Sequence, residues 1–223
     1  MSARRLIARV LLVGGFAPVA GARQEAPGVV FVGSSIFRRW SALASQMAPL
    51  PVRNVALDGG ETYEMLGLLD LRVLPLKPKV VAYYAGSNDV DFDESANAIV
   101  GRVIGFIDRL EAAQPGTRFM FVSIIESPDH QDRWKVIEDV NRQMQKYAAA
   151  HPLVSFVDIN PVFFNPNGSS RFEMFVADQR HLRPAAYEAV AKIVKPVLTA
   201  LVAGSEDPAL RRRRDDDGDP ARR

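Results

Sequence analysis

The chain has no cysteine, and only three of its 223 residues are histidine. The first absence excludes disulfides, thiolate metal sites and thiol catalysis. The second leaves no recognisable zinc constellation. No Gly-x-Ser-x-Gly occurs, so the nucleophile elbow of α/β-hydrolases is missing. Neither a Walker A sequence nor a dinucleotide-binding glycine fingerprint is present. An excess of one charge is also lacking where it would matter. Residues 1–27 hold four Arg and one Glu, and residues 204–223 hold six Arg and six acidic residues, which leaves 18 basic and 19 acidic residues in 28–203. So nearly neutral a body gives no reason to expect a nucleic-acid partner, although the pI of the whole chain is near 9.

What is there bounds the architecture. Hydrophobic residues make up 48% of the chain, enough for one domain with a sizeable core at a length too short for two. Arg4, Arg5 and Arg9 precede a mostly apolar run over 10–19 and the small residues Ala20-Gly21-Ala22. This pattern predicts an export signal within 1–27, and hence a periplasmic or secreted protein; without it the chain would be cytoplasmic. The run is too short for a stable membrane span. Residues 204–223, with Arg211 to Arg214 followed by Asp215 to Asp217, read as a disordered charged tail. The folded domain is expected over 28–203.

Within it, short apolar runs at 29–32, 52–57, 80–85, 118–125 and 154–159 predict strands. Helical spacing predicts helices over 62–73, 94–113, 134–150 and 185–201, with a helix-like stretch from 35 to about 47. Residues 128–133 read as a loop and 160–177 as a long irregular segment. Strands that are continuously apolar and alternate with helices predict a parallel sheet covered on both faces. In such sheets ligands sit at the carboxyl ends of the strands.

Four groups fall at those ends. They are Gly33-Ser34-Ser35-Ile36, Gly59-Gly60-Glu61-Thr62, Gly86-Ser87-Asn88-Asp89 and Asp178-Gln179-Arg180-His181-Leu182. Together they supply what acyl transfer requires. A serine hydroxyl needs a base to take its proton; His181 is that base, and Asp178, three residues earlier, can fix its tautomer. The backbone N–H groups of Ser35 and Gly60 and the Asn88 amide can stabilise a tetrahedral oxyanion.

The four blocks, in this order, resemble the GDSL/SGNH hydrolase family and its lysophospholipase L1-like esterase branch. The likeness spans about residues 28–201 and includes Trp40, Asn54, Ser127-Pro128, Arg133-Trp134 and Asn141. Two departures stand out: Ser34 replaces the usual aspartate of Gly-Asp-Ser, and the gap from Asn54 to the glycine pair is one residue longer, which leaves Gly59 as an alternative to Gly60. The resemblance implies a flavodoxin-like three-layer α/β/α sandwich with five parallel strands in the order 2-1-3-4-5. It also implies ester hydrolysis through an acyl-serine, with no metal or organic cofactor. The implied substrates are small-molecule, lipid or glycan esters, from lysophospholipids and thioesters to acetylated sugars; oligomeric state is left open.

Each residue also has a plainer reading. Ser35 can cap the first helix, Ser34 is a rival nucleophile, and Asn88 can stabilise its own turn. His151 reads as a helix-end residue, and His130 lies in a loop bordering the site. Asp89, Asp91, Asp93 and Glu94 lack EF-hand spacing and read as a solvated loop and helix start. Phe163, Phe164, Phe172 and Phe175 either line an acyl pocket or pack the core. The alternative from another class is a catalytically idle, exported carbohydrate- or lipid-binding module on the same fold.

Overall fold

Five apolar segments form the sheet in the computed structural model, which describes residues 28–204. They are β1 (Val29–Gly33), β2 (Val52–Asn54), β3 (Val80–Tyr84), β4 (Arg118–Val122) and β5 (Val154–Val157). All pairs are parallel and the order is β2-β1-β3-β4-β5, as expected. β2 is shorter than the run that predicted it. Its pairing nevertheless continues, with the Val55 and Leu57 N–H groups donating to the Phe31 and Gly33 carbonyls at 2.9 and 2.8 Å.

Because side chains alternate along a strand, the sheet buries two sets of residues. Val29, Phe31, Val80, Ala82, Tyr84, Met120 and Val122 face one way. They pack against α1 (Ser35–Arg38), α2 (Leu43–Met47) and α6 (Pro184–Gly204). Val30, Val32, Val81, Tyr83, Phe119 and Phe121 face the other way, against α3 (Thr62–Leu68), α4 (Ala96–Ala113) and α5 (Trp134–Ala150). Helices on both faces make the three-layer sandwich. On α4, Ile99, Val103, Phe106, Ile107 and Leu110 are all buried, which is the face its periodicity predicted.

Three expectations are corrected. The stretch from 35 to 47 is two helices, because the chain turns at Arg39 to Ala42 to bury Trp40. That ring stacks on Tyr187 of α6 at 5.3 Å, and the Phe37 carbonyl accepts from both the Trp40 N–H at 3.1 Å and the Asn54 side chain at 2.6 Å. The helix predicted over 62–73 loosens after Leu68 into a π-turn (Leu69–Val73), which still buries Leu69 and Val73. Residues 128–133 are a 3-10 helix, and residues 160–177 include two short 3-10 turns. The predicted signal within 1–27 and nearly all of the charged tail lie outside the described residues. Among the described residues no helix is long and apolar enough to cross a membrane.

Candidate active site

The first strand delivers its serine through a turn that only glycine fits. Gly33 has φ +148°, and a Cβ there would lie 1.9 Å from the Tyr84 carbonyl oxygen. This close approach of backbones lets the Ser34 N–H donate to the same oxygen at 2.9 Å. Ser34 is the N-cap of α1, but its hydroxyl caps nothing and is buried without a partner among the described residues. Ser35, the next residue, opens the helix. Its Oγ lies 2.9 Å from His181 Nε2. The structure therefore pairs Ser35, and not Ser34, with the histidine.

Behind it, His181 Nδ1 is 2.6 Å from Asp178 Oδ2. The other Asp178 oxygen accepts from the backbone N–H groups of Arg180 and His181, each at 2.9 Å. Gln179 takes a left-handed conformation, φ 56°, to fold this turn. Burial pushes the Asp178 carboxyl up, but the hydrogen bonds from the His181 ring and the two N–H groups outweigh it and hold its pKa well below the usual range. The carboxylate stays ionised and fixes the proton on Nδ1, leaving Nε2 to face Ser35.

The second and third blocks meet beside them. Asn88 Nδ2 donates to the Gly60 carbonyl at 2.9 Å. Gly60 is buried, and a Cβ there would press on Met65 at 2.8 Å; Gly59 is exposed and supplies the left-handed turn, φ 70°. Gly60 is thus the member of the pair that touches the Asn88 block. Buried Asp89 fastens the same loop. Its two oxygens accept from the Thr62 N–H at 3.1 Å, one also takes the Thr62 hydroxyl, and Arg102 lies 3.2 Å away.

A small pocket opens at these groups. Ser35, Ile36, Tyr84, Ser87 and Asn88 line it together with Ile125, Ser127, His130 and Arg180. Reading Asp89 as solvated is corrected, since it is buried; Asp91 is exposed as expected and also pairs with His130 and Arg180. His130 is in the pocket wall, while His151 ends α5 as expected. Sequence reasoning missed Arg180, whose only signal was its place between Asp178 and His181. The phenylalanines do not line this pocket. Phe163 and Phe175 are fully buried and stack on each other at 5.2 Å, Phe164 packs on Trp134, and Phe172 is exposed.

A serine, an imidazole and a carboxylate in hydrogen-bonded series, next to a glycine loop and the side-chain amide bonded to it, are the parts of acyl transfer. The model of the GDSL-like lipase/acylhydrolase family matches residues 20–189. The chain belongs to this family. It is accordingly an esterase-type acylhydrolase. Platelet-activating factor acetylhydrolase IB subunit alpha1 of Homo sapiens is 26% identical to this GDSL-like acylhydrolase over 197 residues, covering 83% of this chain and 81% of that protein. Two solved structures share its fold. A GDSL-like lipase from Bacteroides thetaiotaomicron superposes with a TM-score of 0.66 at 19% identity, covering 77% of this chain and 87% of that one. A carbohydrate esterase family 3 protein from Talaromyces cellulolyticus gives 0.63 at 17%, covering 79% and 98%.

Proposed function

We propose that this acylhydrolase cleaves carboxylic esters by attack of Ser35 on the ester carbonyl. His181 Nε2 takes the hydroxyl proton as the new C–O bond forms, then gives it to the departing alkoxide. Asp178 holds the imidazole in that tautomer and stabilises its positive charge. The backbone N–H groups of Ser35 and Gly60 and the second N–H of Asn88 bind the oxyanion, each donor contributing roughly 3–4 kcal/mol in the transition state. Water, activated by His181, then hydrolyses the acyl-serine and regenerates the Ser35 hydroxyl.

The observation that carries this reading is the 2.9 Å contact between Ser35 and His181, backed by the 2.6 Å contact to Asp178. A fluorophosphonate probe should label Ser35 in the intact protein, and Ser35→Ala should abolish turnover of a short-chain chromogenic ester while the fold survives. An idle binding module would not label, and unchanged turnover in Ser35→Ala would overturn the assignment.

A further inference from the structure

The far wall of the pocket contains a second hydrogen-bonded relay that the ester mechanism does not use. Ser127 and His130 are 3% and 2% exposed and line the pocket together with Ser35. His130 Nε2 is 2.8 Å from Asp91 Oδ1, and its Nδ1 is 3.2 Å from Ser127 Oγ. Burial alone would raise the Asp91 carboxyl, but hydrogen bonds from Arg180 and His130 keep it below its ordinary value. An ionised carboxylate only accepts, so in the neutral ring Nε2 donates to Asp91 and Nδ1 accepts the Ser127 hydroxyl hydrogen. In that tautomer the Ser127 hydroxyl hydrogen points to His130 and its oxygen is left as an acceptor. The Trp134 indole holds the Ser127 carbonyl at 2.8 Å. Arg180 ties the relay to the segment bearing Asp178 and His181, donating to Asp91 and Asp129 at 2.7 Å each.

The sheet order gives the relay its position. Ser35, Gly60 and Asn88 follow β1, β2 and β3, whereas Ser127 and His130 follow β4, next to β3 on the side away from β1 and β2. Ser127 and His130 therefore border the same pocket as the Ser35 and Asn88 groups. The pocket is small, with room for about one water-sized group.

We propose that Ser127, oriented by His130 and Asp91, is a specificity-determining residue that accepts a hydrogen bond from a small hydroxyl-bearing substituent of the ester. The hydroxyl belongs either to the acyl half, as in a 2-hydroxyacyl group, or to the alcohol half, as in a diol monoester. This inference rests on the serine-esterase reading above. A site built around a polar partner rejects the analogue lacking it far more strongly than an apolar pocket senses one methylene.

The test uses two pairs of matched esters, with kcat/KM divided by the rate of hydroxide hydrolysis. Propyl glycolate against propyl propionate probes the acyl half; 2-hydroxyethyl acetate against propyl acetate probes the alcohol half. The wild-type protein should favour the hydroxyl member of one pair by about tenfold or more, and the pair identifies the half. Ser127→Ala should bring that ratio close to one, and Ser127→Thr should keep it. His130→Gln breaks the relay from its other end and should give the same loss, so the result does not depend on the folding of one variant. No preference in either wild-type pair overturns the proposal. So does a Ser127→Ala variant that slows both members in equal proportion, the mark of a structural role. Fluorophosphonate labelling separates the two readings: unlabelled Ser35 sinks the esterase mechanism, and labelled Ser35 without hydroxyl preference sinks only this one.

Discussion

Asn88 reaches across from β3 to the loop after β2 and donates one amide hydrogen to the Gly60 carbonyl at 2.9 Å. A side-chain amide has two such hydrogens. The first latches Gly60, and in the proposed mechanism the second binds the oxyanion. Asn88→Ala removes both effects. It is expected to lower kcat by roughly 10²–10³-fold with little change in KM. Steady-state kinetics on a chromogenic ester would read this directly; a raised KM at unchanged kcat would reduce Asn88 to a structural latch.

Asp178→Asn should keep the shape of the site and lose its chemistry. An amide can present its N–H to His181 and leave the proton on the wrong ring nitrogen, for which a loss of roughly 10⁴-fold in kcat is expected. The same substitution reports on stability. The Asp178 carboxyl is held below its ordinary value of 3.8, so its hydrogen bonds contribute fully above that pH and are lost as pH falls through the folded value. The difference in Tm between wild type and Asp178→Asn should therefore be constant near neutrality and close in acid. A difference that grows in acid would refute the sign.

The sheet and the meeting of Ser35, His181 and Asp178 were legible in the sequence for one physical reason: both depend on local signals. Continuous apolar runs such as 80–85 mark strands buried on both faces, and each reactive group sits within a few residues of a strand end. What escaped depends on distant partners. Asp91 is the surface carboxylate it reads as, but its pairing with Arg180, 89 residues later, has no local signal. Asp89 gave no sign of burial, because its partners Thr62 and Arg102 come from two other elements. The break between α1 and α2 likewise follows from the demand of Trp40 to stack on Tyr187, not from any breaker in 39–42.

Asp89→Ala should be costly for the fold. The substitution orphans a buried Thr62 N–H and hydroxyl and weakens the hold on Arg102, whose side chain is 27% exposed. A loss of about 3 kcal/mol is expected, or roughly 6–12 °C in Tm for a domain of this size. Asp89→Asn, which retains an acceptor for Thr62, should lose less. Thermal unfolding of the pair checks both; equal losses would place the whole effect on the charge.

Glu126 carries stability with the opposite pH dependence. It adjoins Ser127, and its N–H donates to Asn160 at 2.9 Å while its side chain sits partly buried. Burial first, and then the neighbouring carboxylates of Glu138 and Asp158, push its pKa from 4.5 up to about 7. A raised carboxyl pKa means that unfolding is favoured by ionisation. The protein is least penalised below pH 4.5, loses stability as pH rises toward 7, and changes no further above it. Glu126→Gln removes the ionisable group and keeps its shape. With solvent screening discounted, a gain of about 1 kcal/mol is expected at pH 8, which corresponds to roughly 2–4 °C in Tm. No gain is expected at pH 4, where the wild-type group is already neutral. A stabilisation equal at both pH values would show that Glu126 is not strained by its charge.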